Sequence, residues 1–322
     1  MTAIPRRAAL AAPLALAAGR ATAQGYPSQT IRLVVAYVPG GTTDLVGRMV
    51  AEGLAERLPR PVVVENRGGA SGIVGTEAVA RSLPDGNTLL LCSSAHAVLP
   101  ELYPNLSWDP LADFTPIGPI AATPYMLVVH PSLPATSLAE LVAYAKANPG
   151  RLNFASTGMG TGQHLAGELL KRLAGIEMEH VSYRGSGAVR ADLLTGRINL
   201  MFENVALTVQ MVERGEVRGL AVTSPERTPL APGLPTLTEL GYGTAQIEGW
   251  FGLLGPARLP AEAVATLNAA LGDYLRQPAT ARRLAGLGAR VLGGPPEALA
   301  GVIRGERERW GKVIREANIR PE

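Results

Sequence analysis

Apolar runs and amphipathic segments alternate along most of this chain. The run 31–37 is apolar and rich in β-branched residues, which predicts a strand buried on both faces. After a glycine-rich turn, Asp44 opens a predicted helix whose apolar residues recur at helical spacing: Leu45, Val46, Met49, Val50, Leu54 and Leu58. Two further strands, 61–65 and 88–92, with a helix at 73–82 between them, complete a βαβαβ unit.

A second alternating series follows a loop-rich stretch, 100–124, that holds six prolines. We predict its strands at 125–129, 152–155, 180–183, 198–202 and 217–223. We predict its helices at 137–147, 161–174 and 188–195, the first with Ser137 and Glu140 as a capping box. A strand at 250–255 then leads to three helices, at 261–276, 278–287 and 296–317. Because no new strands accompany these helices, we expect them to pack back onto the first unit.

Two such series in roughly 300 residues predict an α/β protein with two lobes, each a mainly parallel sheet flanked by helices. The chain would cross between the lobes twice, near 122–126 and 247–252. We therefore predict that residues 24–124 and 250–322 form the first lobe. Residues 125–249 would form the second.

The N-terminal segment differs from the rest in composition. Arg6 and Arg7 precede an alanine-rich apolar run, 8–18, and small residues follow at 21–23. Such a run is well short of the roughly 20 residues that span a bilayer. We predict a signal peptide, residues 1–23, cleaved near Ala23, and hence a periplasmic protein. The paired arginines leave both the general secretory route and the twin-arginine route open.

Charge and cysteine content give no support for a nucleic-acid-binding or a disulfide-stabilised protein. Three of the 30 basic residues lie in the predicted signal peptide, so 27 basic residues remain against 27 acidic ones. A nearly neutral chain lacks the basic surface that nucleic acids require. Cys92 is the single cysteine, and we expect it to be a buried strand residue.

Three glycine-rich loops each connect a predicted strand to a predicted helix. They are 39–44 and 66–72 in the first lobe and 156–162 in the second. Ligands of open α/β sheets bind at the carboxyl ends of the strands, and the N–H groups of a helix start favour negative charge. Each loop alone can equally be a tight turn. Three loops from two lobes favour a shared anion-binding cleft, with hydroxyl donors at Thr42, Thr43, Ser156, Thr157 and Thr161.

The motifs of common enzyme classes do not occur in the sequence. It has no G-x-S-x-G elbow, no H-E-x-x-H, no P-loop lysine and no paired-cysteine metal spacing. The loop at 158–163 resembles a dinucleotide fingerprint only loosely, because Gln163 stands where the last glycine belongs. An NAD-dependent oxidoreductase is therefore a distant alternative. For each of the four histidines a structural or capping role is the better expectation, although His96 and His164 are placed where they can face the cleft.

The sequence resembles the Bug family, the extracytoplasmic receptors of tripartite tricarboxylate transporters. The matching stretches include VVAYVPGGTTDLVGR at 34–48, NFASTGMGTGQHLAGELL at 153–170 and DLLTGRINLMFEN at 192–204. They span the mature chain in order and with similar spacing. The resemblance implies a type II periplasmic binding protein fold with two lobes and a hinge. It also implies a carboxylate ligand, held through one carboxyl group by loops of both lobes, often through bridging waters.

Several positions depart from the family pattern. Ala36, Val38 and Thr42 stand where the family commonly has proline, and Glu203 stands where aspartate is common. A longer acid at 203 would either favour a ligand with a hydrogen-bond donor or reshape the pocket. Asp44 is either the N-cap of its helix or a ligand contact. Tyr37 either lines the pocket or only packs beside it.

Loops and resemblance together give a set of candidate ligand-binding residues. They are Tyr37, Gly40, Gly41, Thr42, Thr43, Asp44, Ser94, His96, Ser156, Thr157, Gly158, Gly160, Thr161, His164 and Glu203. We predict no catalytic residue, metal or cofactor.

The predicted function is capture of a small carboxylate, such as a di- or tricarboxylate, an acidic amino acid or an aromatic acid. The expected partner is the membrane permease of a tripartite tricarboxylate-type transporter. Handing the ligand-bound form to a membrane sensor kinase is the alternative. We expect a monomer that closes on its ligand by a hinge motion.

Overall fold

The computed structural model describes residues 25–243, 246–316 and 319–320. The predicted signal peptide, residues 1–23, lies outside the described residues. The strands are β1 (Ile31–Val35), β2 (Val62–Asn66), β3 (Thr88–Ser93), β4 (Phe114–Val129), β5 (Leu152–Ser156), β6 (Met178–Ser182), β7 (Leu200–Asn204), β8 (Arg218–Val222), β9 (Glu248–Pro256) and β10 (Arg290–Val291). The α-helices are α1 (Thr42–Ala55), α2 (Ile73–Ala80), α3 (Ala95–Leu102), α4 (Leu138–Ala147), α5 (Gly162–Ala174), α6 (Ser186–Leu194), α7 (Val205–Glu213), α8 (Ala261–Leu275), α9 (Pro278–Gly286) and α10 (Pro296–Glu316).

The strands form two sheets that share β4. In the first lobe the order is β2-β1-β3-β9-β4, with β1 parallel to β2 and β3, and β9 antiparallel to its neighbours. In the second lobe the order is β4-β7-β5-β6, with β5 parallel to both β6 and β7. Short β10 pairs with the middle of β4, at 121–122, and β8 pairs with its last residues, 126–129. The carboxyl ends of the parallel strands carry the loops that lead into α1, α5 and α6.

Strand β4 is the first passage between the lobes. Residues 114–124 pair with β9, and residues 125–129 pair with β7 and β8. The sequence predicted a loop up to Pro124, which was wrong, because the first half of β4 is already strand. The register with β9 shifts beside Pro116 and Pro119. These irregularities accommodate residues that lack a backbone N–H, so prolines do not end the strand here.

Alternate residues of the buried strands face different cores. Leu33, Leu89 and Leu91 belong to one apolar cluster, and Val34 and Leu90 belong to another on the opposite face of the sheet. The second lobe likewise has a cluster on each face of its sheet. Burial on both faces explains why these strands are continuous apolar runs rather than alternating ones.

Helix α10 packs on both lobes. Leu299 and Ile303 join a core of the first lobe, whereas Trp310 and Ile314 join a core of the second. The expectation that the last helices pack back onto the first unit is correct for α8, which contacts α1 and β4. It also holds for the first half of α10, which packs on α3, but the second half runs past the junction and packs on the second lobe.

Candidate functional site

Helix α1 forms the first-lobe wall of a cleft between the lobes. Its N-cap is Gly41, whose lack of a side chain leaves the first backbone N–H groups without a side-chain acceptor. The side chains of Thr42 and Thr43 line the cleft. Among the described residues, neither threonine hydroxyl has a hydrogen-bond partner. The start of α1 therefore presents N–H and hydroxyl donors to the cleft.

Asp44 stabilises this wall from the side that faces away from the cavity. Its carboxylate accepts hydrogen bonds from the Gly40 N–H at 3.0 Å, Asn66 Nδ2 at 2.9 Å and Arg48 Nε at 3.0 Å. Burial acts to raise the pKa of Asp44, but these hydrogen bonds together hold it below its ordinary value. The helix begins at Thr42, so Asp44 is not the N-cap that the sequence suggested. Its carboxylate shapes the preceding turn instead.

Helix α5 forms the opposite wall. Its N-cap is Thr161, whose hydroxyl accepts from the His164 N–H and donates to the Gly158 carbonyl at 2.7 Å. In the first turn, Gln163 Oε1 accepts from the Thr157 N–H at 2.8 Å and from the Thr157 hydroxyl at 2.6 Å. The loop before α5 is thus fixed by its own side chains. The groups that remain directed at the cleft belong to the helix start.

Glu203, at the end of β7, is the acidic group of the cleft wall. Its Oε1 accepts from Gln163 Nε2 and from the Asn204 N–H, each at 2.8 Å. The side chain is only 2% exposed, and burial raises the pKa of the carboxyl group above its ordinary value. Gln163 therefore connects the α5 start to this buried acid.

Aromatic side chains close the remaining sides. Tyr37 bonds the Ser93 hydroxyl at 3.1 Å through its own hydroxyl, and burial raises its pKa. Tyr125, Trp250 and Phe251 lie where β4 and β9 pass between the lobes, and all are buried. An apolar surround of this kind strengthens the electrostatic interactions of any polar group inside.

The two lobes touch across the mouth of the cleft. A Cβ atom on Gly185 would lie 2.6 Å from Val38 Cγ2, and one on Gly158 would lie 2.6 Å from Ser71 Oγ. Such distances are shorter than real Cβ contacts, so glycine is required at both positions. The structure therefore has the cleft in a closed arrangement.

The cavity between the lobes has a volume of about 670 Å³, part of which is open to solvent. It is lined by Tyr37, Val38, Gly41, Thr42, Thr43, Ser93, Ser94, Thr123, Tyr125, Thr157, Thr161, Gly162, Gln163, Gly185, Ser186, Glu203, Asn204, Gly249, Trp250 and Phe251. No Lys, Arg or His side chain is among these described lining residues. Negative charge on a ligand would be met by N–H and hydroxyl donors alone.

The structure brings eight of the predicted residues together around this cavity. They are Tyr37, Gly41, Thr42, Thr43, Ser94, Thr157, Thr161 and Glu203. Gly40 and Asp44 lie behind the α1 start, and Ser156, Gly158, Gly160 and His164 lie behind the α5 start. His96 lies elsewhere in the first lobe.

The residues behind the α5 start support the loop from inside. Ser156 is fully buried, and its hydroxyl lies 2.7 Å from His180 Nε2 and accepts from the Gly158 N–H. His164 Nδ1 accepts from the Gly160 N–H at 3.2 Å. Burial lowers the pKa of His164 to about 3, with the neighbouring His180 adding to the effect. These side chains position the binding wall rather than line the cavity.

His96 belongs to an aromatic cluster. It stacks on Trp108 with 5.0 Å between ring centres, and Phe114 meets its edge at 4.8 Å. Its Nε2 lies 2.9 Å from the Pro110 carbonyl. Burial lowers its pKa to about 4, so the ring is neutral at physiological pH. This packing turns it away from the cleft, although Ser94, two residues earlier, lines it.

Several lining residues were not among the sequence candidates. Gln163 could have been predicted, because it lies in the first turn of the predicted helix after the second-lobe loop. Tyr125 and Trp250 could also have been predicted, because the two predicted crossings must border any cleft between the lobes. Ser93, Ser186 and Asn204 lie at a strand end or a helix start, and no motif singled them out.

In the described ranges, no three His, Cys, Asp or Glu side chains cluster so that they could hold a metal ion. None of the helices in the same ranges combines the length and apolar character needed to cross a membrane.

The family was established by comparison with known proteins. The model of the family described as "Tripartite tricarboxylate transporter family receptor" matches residues 46–319. The chain belongs to this family. Its relatives include BugD, described as a periplasmic binding protein, which is 34% identical. The match covers 92% of this chain and 100% of BugD, with a TM-score of 0.87. The predicted resemblance to Bug receptors and the predicted type II periplasmic binding protein fold are confirmed.

Two solved structures of similar receptors contain carboxylates. Rpa4515 of R. palustris, solved with adipate, is 35% identical to this receptor, with a TM-score of 0.88 over 92% of this chain and 100% of Rpa4515. MatC (Rpa3494) from Rhodopseudomonas palustris, solved with bound malate, is 31% identical, with a TM-score of 0.84 over 90% of this chain and 100% of MatC. These two relatives thus bind small carboxylates.

Proposed function

We propose that this receptor captures a small carboxylate in its inter-lobe cleft and delivers it to the membrane permease of a tripartite tricarboxylate-type transporter. One observation carries the proposal. The starts of α1 and α5, from different lobes, line one cavity with N–H and hydroxyl donors and with no basic side chain. Such a cavity can hold one carboxyl group without an ion pair.

Hydrogen bonds of ordinary strength can supply the binding free energy that a micromolar receptor requires. A helix dipole contributes roughly 0.3–1 kcal/mol per charge at an exposed site, whereas micromolar affinity requires about 8 kcal/mol. Hydrogen bonds to a charged group contribute about 1.5–3 kcal/mol each. Three or four such bonds in the closed cavity supply the difference, and the adipate and malate complexes of the relatives support this ligand class.

We also propose how the chain divides between the two lobes and where in the cell the protein is located. Residues 24–124 and 250–322 would form one lobe and residues 125–249 the other, with hinges where β4 changes its partner from β9 to β7 and where the chain enters β9. Export by a signal peptide ending near Ala23 would place a monomer in the periplasm. The receptor would act on its ligand by binding alone, without catalysis.

Titration calorimetry on the mature protein tests the ligand class. The panel contains adipate, malate, succinate, citrate, benzoate and L-glutamate, with glucose and putrescine as a neutral and a cationic control. We expect at least one carboxylate to bind with micromolar or tighter affinity and neither control to bind. Failure of every carboxylate alongside binding of a control would contradict the proposal, and unchanged ligand recovered afterwards distinguishes a receptor from an enzyme.

A further inference from the structure

The two carboxyl oxygens of Glu203 have different surroundings. Oε1 accepts two hydrogen bonds, from the Asn204 N–H and from Gln163 Nε2. Oε2 is buried and accepts no hydrogen bond of ordinary geometry from a described residue, and the Ser186 hydroxyl is only near enough to lower the pKa of the carboxyl group in part. A buried polar atom without a partner is rare in folded proteins and calls for a specific explanation.

The charged and titratable groups around Glu203 do not neutralise it in the cavity. On α6, Arg190 lies outside the cavity lining, and its positive charge lowers the pKa of Glu203 only in part. Burial, the largest effect, raises that pKa despite the Asn204 N–H, the Ser186 hydroxyl and Gln163. On β4, burial raises the pKa of Tyr125, and on α5, His164 is neutral.

We propose that Glu203 takes part in binding as a neutral acid whose Oε2–H donates a hydrogen bond to the carboxylate of the ligand. This inference rests on the proposed function. A neutral carboxyl group has one accepting oxygen and one donating oxygen. The two donors at Oε1 identify it as the accepting oxygen, which leaves the hydroxyl on Oε2 without an acceptor of its own.

The ligand supplies the missing acceptor. An ionised Glu203 would place a second negative charge beside the carboxylate of the ligand, with no basic residue in the lining to separate them. An O–H···O⁻ bond is instead short and among the stronger hydrogen bonds in proteins. Glu203 thereby selects a ligand that presents an anionic oxygen at this point, rather than an ammonium group.

Proton linkage follows from this arrangement. Ligand binding favours the protonated form of Glu203, so affinity falls as pH rises through the pKa of Glu203 in the free receptor. The limiting slope is about tenfold in Kd per pH unit. Glu203→Gln keeps an accepting oxygen for the two donors and places N–H donors where the hydroxyl would be.

The experiment measures Kd by calorimetry from pH 6 to 9 for the tightest-binding member of the carboxylate panel. We expect the affinity of the wild-type receptor to fall with rising pH. Glu203→Gln should bind within about threefold of wild type at pH 6 and show no pH dependence. Glu203→Leu, which has no donor, should bind at least about tenfold more weakly. Glu179→Gln, on an exposed residue, is the matched control and should behave as wild type.

Three results would overturn the inference while leaving the carboxylate receptor intact. They are loss of binding in a folded Glu203→Gln variant, a wild-type affinity that increases toward pH 9, and a preference for L-glutamate over plain diacids that Glu203→Gln abolishes. The last result would mean that an ionised Glu203 binds an ammonium group. Failure of all carboxylates with the wild type would instead refute the proposed function.

Discussion

The hydroxyl groups of Thr42 and Thr43 are the free side-chain donors of the α1 wall. Both residues line the cavity, and neither hydroxyl is used by the fold in the part of the chain that the structure describes. By contrast, the Thr157 hydroxyl is already bonded to Gln163. Threonines in similar sequence contexts therefore differ in whether their hydroxyl groups are free to bind a ligand.

Replacing Thr42 and Thr43 together by valine should weaken carboxylate binding by roughly tenfold or more, because a hydrogen bond to a charged group is lost at little change in side-chain shape. Calorimetry measures the change, and thermal unfolding checks that the fold is kept. Thr195→Val, on an exposed threonine, is the control. Unchanged affinity in the double variant would show that the ligand does not use the α1 hydroxyls.

Two buried histidines make the helices α3 and α5 sensitive to acid. Burial lowers the pKa of His96 to about 4 and that of His164 to about 3. Because both pKa values are below that of an unfolded histidine, about 6.5, the unfolded chain binds more protons in this range. The stabilisation that these neutral rings contribute is therefore fully present above pH 6.5. It is lost as the pH falls toward their pKa values in the folded protein.

The free energy of unfolding should fall by about 2 kcal/mol per buried histidine between pH 7.5 and pH 5. Urea denaturation at several pH values measures it. His164→Gln should remove the contribution of one histidine, about 2 kcal/mol, from this pH dependence. The variant itself will be less stable than wild type at pH 7.5. A free energy of unfolding that is constant over this range would contradict the burial of these two rings.

Most elements could be predicted because their local pattern and their tertiary environment agree. The apolar run of β1 and the Ser137 cap of α4 are examples, and the Ser137 hydroxyl does accept from the Glu140 N–H. The first half of β4 was missed because its prolines are tolerated only beside irregular register with β9. Helices α3 and α7 were missed because each follows its strand almost without a turn.

The candidate site likewise contains some residues that local sequence could predict and others that it could not. Loops at helix starts have a local signature of glycine and hydroxyl residues, so Gly41, Thr42 and Thr161 were predictable. Tyr125 and Gly249 come together only when β4 and β9 pair across the junction, which local sequence does not show. His96 was misplaced for the same reason, since Trp108 and Phe114 draw it into an aromatic cluster.

At the scale of the molecule, closure depends on glycines that face the other lobe. Gly185→Ala should weaken ligand binding by at least about tenfold, because the new Cβ would meet Val38 at 2.6 Å in the closed form. Calorimetry measures Kd, and small-angle scattering measures compaction on ligand addition. Gly187→Ala, where a Cβ meets nothing within 4 Å, is the control and should bind as wild type.

The double variant Val38→Ala with Gly185→Ala separates the contact from backbone strain. Removing the valine methyl groups relieves the clash but not any strain at Gly185, so recovery of affinity identifies contact between the lobes as the cause. No recovery would mean that the loss comes from the local backbone conformation and not from closure.

The central claim is that the starts of α1 and α5 hold one carboxyl group between the lobes. A crystal structure of the mature receptor with its tightest-binding carboxylate tests this most directly. The account predicts a carboxyl group with oxygens about 2.7–3.2 Å from N–H or hydroxyl donors of both helix starts, directly or through one water. A ligand bound outside this cavity, or one whose carboxyl group contacts only one lobe, would contradict it.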